Sequence, residues 1–197
     1  MMKDMTAWEK MQKGMVYDDF DDDLFLRRVE AKKLFKAYNK TTDDEMEERK
    51  TLLSKLFHSV GNGVHIEPDF HCEFGKNITI GDQVYINFGC IILDCAEVTI
   101  GNNVLIGPNL GIYAVNHGLD PEERIAGACI GKPVHIEDNV WVGGDVKVLA
   151  GVTIGEGSVI GAGSIVTKDI PPRVVAAGNP CKVIRPIDEN DKLGFVK

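Results

Sequence analysis

The chain has 197 residues, 44% of them apolar, and a formal net charge of −8. That length and apolar share suffice for one principal core and exclude a disordered or collagen-like chain, while the acidic balance argues against a nucleic-acid or membrane-surface binder, which needs a basic face. The opening Met1-Met2-Lys3-Asp4-Met5 is charged and lacks the apolar run of a secretory signal, no window approaches a membrane span, and five cysteines without CxxC spacing fit neither a disulfide framework nor a zinc ribbon, so the expectation is a cytoplasmic protein with reduced thiols.

Residues 1–60 read as helices. Thr6 with Glu9 fits a capping box, Leu24, Ala31, Leu34, Phe35 and Tyr38 keep helical spacing, and Thr42 with Glu45 opens a further helix ending near Leu56 and Phe57, with Gly61 as its stop. Between the first two lies the run Asp18-Asp19-Phe20-Asp21-Asp22-Asp23. Such a run either caps a helix in solvent or lends a carboxylate to a ligand's hydroxyls.

From about 61 to 187 the sequence counts in sixes. An aliphatic column runs through Ile80, Ile86 and Ile92, then after a two-residue insertion through Ile100, Ile106 and Ile112, and resumes at Ile136, Val142, Val148, Ile154, Ile160 and Val166. A second column of small or β-branched residues precedes each by two positions, and glycine follows at Gly81, Gly101, Gly107, Gly143, Gly155 and Gly161, where corners are expected. A period of six cannot be an amphipathic α-helix. It predicts a β-solenoid of triangular coils, three hexapeptides to a coil, with residues about 18 apart in sequence stacking on one another.

A regular solenoid fills its interior with its repeats, so functional groups are sought where the pattern breaks. The long break is an extended loop at about 113–133, opened by Tyr113-Ala114-Val115-Asn116-His117-Gly118. Loops on rigid scaffolds concentrate functional side chains, which makes His117 the candidate general base. Cys129, in the same excursion, is the one residue that could serve instead as a nucleophile. Further on, Lys168, Arg173, Lys182 and Arg185 face a single acid, Asp169, a local positive segment suited to phosphates. Residues 188–197 read as a C-terminal tail.

The stretches Trp8-Glu9-Lys10-Met11, Tyr85-Ile86-Asn87-Phe88, Ile136 through Gly143, Gly161 through Pro171 and Val174 through Pro180 resemble the hexapeptide-repeat acetyltransferases, within them the maltose and galactoside O-acetyltransferases. The resemblance implies a mainly β, left-handed parallel β-helix with an N-terminal helical segment that serves the acceptor site. It implies transfer of acetyl from acetyl-CoA to a hydroxyl, the 6-hydroxyl expected, of a small sugar such as maltose, glucose or a galactoside. The family's catalytic histidine falls on His117, although Gly118 stands where proline is common, which predicts a looser loop. Acceptor-binding positions fall on Asp19, Glu73 and Asn87, with Asp94 nearby. Those toward CoA fall on Trp141, Gly144, Ala162, Thr167, Lys168, Lys182 and Arg185. Gly144 N–H is the expected oxyanion donor. Flat aliphatic faces favour self-association, and the family adds cyclic homotrimers with sites between subunits.

Because a thioester is already activated, direct transfer needs a base and an oxyanion donor, and no metal. Three alternatives share parts of this pattern. A zinc carbonic anhydrase on the same solenoid needs three convergent histidines, and no second histidine follows His117 within the excursion. A scaffold role predicts no CoA binding. A relative acting on serine or a xenobiotic hydroxyl shares the repeats, but the Asp-rich helical N-terminus favours the sugar branch.

Overall fold

The computed structural model describes residues 5–195, so the charged start, 1–4, and the last two positions of the C-terminal tail lie outside the described residues. Its body is a left-handed β-solenoid of about 6 turns. Short strands stack into three faces, two of five parallel strands and one of seven whose last strand, Lys182–Pro186, is antiparallel. The predicted columns are the interior: Ile66 pairs in register with Ile86, Ile86 with Ile106, Ile106 with Val142, Val142 with Ile160 and Ile160 with Ala176. All six are essentially without solvent exposure. In the second column Ser158 and Ser164 bury their hydroxyls by donating to the carbonyls of Pro171 and Gly161.

The spacing of the coils and the role of the glycines differ from the expectation. In the first coils the stacked residues are 20 apart, Ile66 to Ile86 to Ile106, and only later 18, Val142 to Ile160. The extra pair widens one corner at Asp94-Cys95-Ala96, the corner against which the N-terminal segment packs. The column glycines do not supply left-handed backbone. A Cβ on Gly107 would stand 2.6 Å from Gly144 N of the next coil, so it is close approach that demands glycine there. The left-handed corners are shared by other glycines, among them Gly63, Gly89, Gly157 and Gly163, and by Gln83, Asn103, Asn109, Asn139 and Asp145.

Gly61 is likewise no helix stop; it sits in the solenoid after a strand at Ser59–Val60, one coil below Gly81.

Four helices are present among the described residues: α1 (Ala7–Gln12), α2 (Asp22–Tyr38), α3 (Met46–Leu56) and α4 (Pro121–Ile125). Both halves of the Thr6/Glu9 capping box form, and Asp21 caps α2 by accepting from Asp23 N at 2.9 Å. Helices α2 and α3 close the first coil: Ala31, Phe35, Tyr38, Leu53 and Leu56 join the solenoid core around Ile66 and Phe70.

The excursion is not the irregular loop its sequence suggested. Strands β1 (Tyr17–Asp18), β2 (Val115–His117) and β3 (Ala128–Gly131) form an antiparallel sheet in the order β1-β3-β2, with α4 between β2 and β3. Gly118 extends this ladder instead of loosening it: its N–H donates to Ala128 O at 2.8 Å, a bond that proline could not make. The hairpin thus ties the N-terminal segment to the solenoid wall.

Candidate functional site

One row of the small sheet brings Tyr17, Cys129 and His117 together. Tyr17 is the register partner of Cys129, and Cys129 is the partner of His117, so the three side chains share a face. His117 is exposed, and its Nδ1 lies 3.0 Å from Cys129 Sγ. Cys129 is 1% exposed. Burial, reinforced by the Asp19, Asp18 and Glu73 carboxylates and opposed by Arg28, pushes its thiol up to about 11. It is therefore a neutral thiol near pH 7. Tyr17, 2% exposed, sets its hydroxyl beside Cys95, and that hydroxyl is the single buried side-chain polar atom without a hydrogen-bond partner among the described residues.

Asp19 and Glu73, far apart in sequence, meet on Arg28. Its Nη2 donates to Asp19 Oδ1, its Nε to Glu73 Oε1, and its Nη1 to the Asp19 carbonyl at 3.0 Å. The guanidinium lies 5.2 Å from the Phe74 ring centre, and α2 carries it inward with Leu24 and Ala31. The sequence reading passed over Arg28, although a charge at helical spacing between Leu24 and Ala31, on the buried stripe, was a usable signal.

Asp94 requires correction. Its side chain is fully buried, and its Oδ1 accepts from Glu73 N at 3.0 Å and Phe74 N at 2.8 Å while its Oδ2 accepts from Asn77 N at 3.2 Å. Burial outweighs these donors and lifts the carboxyl to about 7. It holds the turn that presents Glu73 and is closed to an incoming acceptor.

The remaining predicted residues lie elsewhere. Asn87, half-buried, bonds to Phe88 N at 2.8 Å at the corner that begins the face leading to Asp94. The same corner continues upward through Gly107, Gly143 and Gly161, joined by bonds from Asn87 N to Ile106 O, Gly107 N to Val142 O and Gly143 N to Ile160 O. Gly144 and Ala162 follow on it. Gly144 accepts from Gly163 N at 2.9 Å, and its own N–H donates to no protein group among the described residues. The strand Gly111–Tyr113 runs between the Gly107 corner, one coil above Asn87, and the hairpin that carries His117. Trp141 stands 54% exposed on the seven-stranded face, above Leu105. Thr167, Lys168 and Lys182 are exposed near the last coil. Arg185 is already engaged, donating to both Asp191 carboxylate oxygens at 2.6 and 2.8 Å, which lowers Asp191 to about 2.

One group of possible metal ligands stands apart from His117: Asp43, His65 and Glu67. Its carboxylate oxygens already accept from Arg49 at 3.0 Å and Tyr85 at 2.9 Å. No helix among the described residues is long and apolar enough to cross a membrane.

Known proteins give this arrangement a family. The maltose acetyltransferase hexapeptide capping motif matches residues 10–61, and the bacterial transferase hexapeptide of six repeats matches 133–168. The galactoside O-acetyltransferase of Escherichia coli K12 is 43% identical, over 98% of this chain and 95% of its own. A maltose O-acetyltransferase from Clostridium difficile 630 superposes with a TM-score of 0.91 at 46% identity, covering 94% of this chain and 99% of that one. A galactoside acetyltransferase in complex with coenzyme A superposes with a TM-score of 0.90 at 42% identity, covering 98% and 97%. With the solenoid, its helical cap and its histidine-bearing hairpin matched over nearly their whole length, the chain belongs to the maltose and galactoside O-acetyltransferase family of hexapeptide-repeat acetyltransferases.

Proposed function

We propose that this protein transfers acetyl from acetyl-CoA directly to a hydroxyl, the 6-hydroxyl first, of a small sugar such as maltose, glucose or a galactoside. The observation that carries the reading is the convergence around Cys129 of an exposed imidazole, His117, with the Asp19–Arg28–Glu73 network. Carboxylates held by an arginine keep lone pairs free for sugar hydroxyls, and the imidazole beside them takes the proton of the one that reacts. The coenzyme supplies an activated acetyl thioester. As the His117 nitrogen removes the proton, the sugar oxygen bonds to the acetyl carbon, the C–S bond breaks, and the departing sulfur receives the proton from His117. The free N–H of Gly144 suits the negative charge that develops on the acetyl oxygen.

His117, Asp19 and Glu73 stand away from the corner that Asn87 shares with Gly144, which supports a site assembled between copies of the chain. A cyclic homotrimer is the assembly proposed, with His117, Asp19 and Glu73 of one protomer facing Asn87 and Gly144 of its neighbour. Trp141, Ala162, Thr167, Lys168 and Lys182 are the groups proposed to hold CoA, with Arg185 contributing only if its pair with Asp191 opens. The cytoplasm, where acetyl-CoA is made and used, is the proposed setting. The test is thiol release from acetyl-CoA against a panel of sugars, with serine and an aminocyclitol as comparison acceptors. Turnover with sugars alone supports the reading, and turnover only with serine or the aminocyclitol contradicts it.

A further inference from the structure

The geometry points to Cys129 as a positioning residue for His117: its sulfur receives Nδ1–H of the ring and so leaves Nε2 unprotonated and turned toward the acceptor hydroxyl. This rests on the reading of His117 as the base. The contact is 3.0 Å, and it is imposed by strand register, since His117 and Cys129 are direct partners across β2 and β3. The titratable side chains around this pair are Tyr17 and Asp18 from β1, Asp19 before α2, Arg28 from α2, and Glu73 and Cys95 from the widened corners of the solenoid.

Which ring nitrogen carries the proton is decided by what the other nitrogen meets. A thiol can donate to Nδ1 or accept from it, but only the second arrangement leaves Nε2 able to take a proton. Once the hydroxyl proton has arrived, both nitrogens bear hydrogen, and Nδ1–H then requires an acceptor. Cys129 Sγ occupies that position. The sulfur is not itself placed for acyl transfer: Cys129 is 1% exposed, and burial and the surrounding carboxylates keep it a thiol.

The experiment uses the full chain with 15N-labelled histidine, comparing wild type with Cys129→Val, which keeps the volume without the acceptor, and Cys129→Ser, which keeps an acceptor. In wild type the His117 nitrogen shifts should report the Nδ1–H tautomer. In Cys129→Val that tautomer should lose its dominance and kcat should fall about tenfold, the scale of one hydrogen bond to a charged group, with the KM for acetyl-CoA unchanged and Cys129→Ser recovering most of the rate. An Nε2–H tautomer in wild type overturns the proposal without any variant. Unchanged shifts or unchanged kcat in Cys129→Val does the same, as does an acetyl adduct on Cys129 after incubation with acetyl-CoA alone. Full activity in His117→Ala instead sinks the base assignment, a result separable from the tautomer measured in wild type.

Discussion

The solenoid and the hairpin that breaks it are built by different rules. In the solenoid each residue repeats the role of the one a coil below, so Ile92 lies between Cys72 and Ile112 in one stack and its identity follows from theirs. In the hairpin no residue repeats another. His117 gains its surroundings from β1, α2 and two solenoid corners, which meet it only in three dimensions. On the proposed reading periodicity writes stability and aperiodicity writes chemistry, and the two should separate on mutation.

The largest expected effect on stability is in the stack. Ile92→Ala, at a site with no exposure, should cost about 2–5 kcal/mol, read from denaturant unfolding, while activity per folded molecule stays near wild type. A loss of specific activity with stability retained would blur the division. Arg28→Ala lies on the boundary. It frees Asp19 and Glu73 from their shared partner, so kcat/KM for the sugar should fall by at least about tenfold with acetyl-CoA KM unchanged; unaltered sugar kinetics would remove this network from the acceptor site.

The smallest effect concerns Asp94. Its carboxyl is raised in the fold, to about 7 from an ordinary 3.8, so its contribution to stability is complete below the ordinary value and is lost as pH rises through about 7. Melting curves should show wild type losing ground to Asp94→Asn between about pH 4 and pH 7. Parallel pH dependences would mean that the three backbone donors keep Asp94 ionised throughout.

The columns of the prism could be read from the sequence because each position is dictated by equivalent apolar neighbours in the coils beside it, and the Thr6/Glu9 cap because its bonds are local. The hairpin at 113–133 could not, since its strands have only three and four residues and β3 finds its second partner in β1, more than a hundred residues earlier. His117 was visible as a residue out of phase, whereas Arg28 hid inside a helix read only for its apolar positions. Asp94 was misplaced because family position does not report burial: the widened corner folds its carboxylate under the turn at Glu73.

The central claim, that His117 takes the acceptor's proton, is tested most directly by steady-state turnover of His117→Ala with melting temperature and oligomer size measured on the same preparation. His117 is exposed and outside every stacked column, so fold, assembly and CoA affinity should match wild type while kcat falls by about 10²–10⁴. A variant that keeps more than about a tenth of wild-type kcat, well above the residual expected without a general base, would contradict the claim and move the proton transfer to another group.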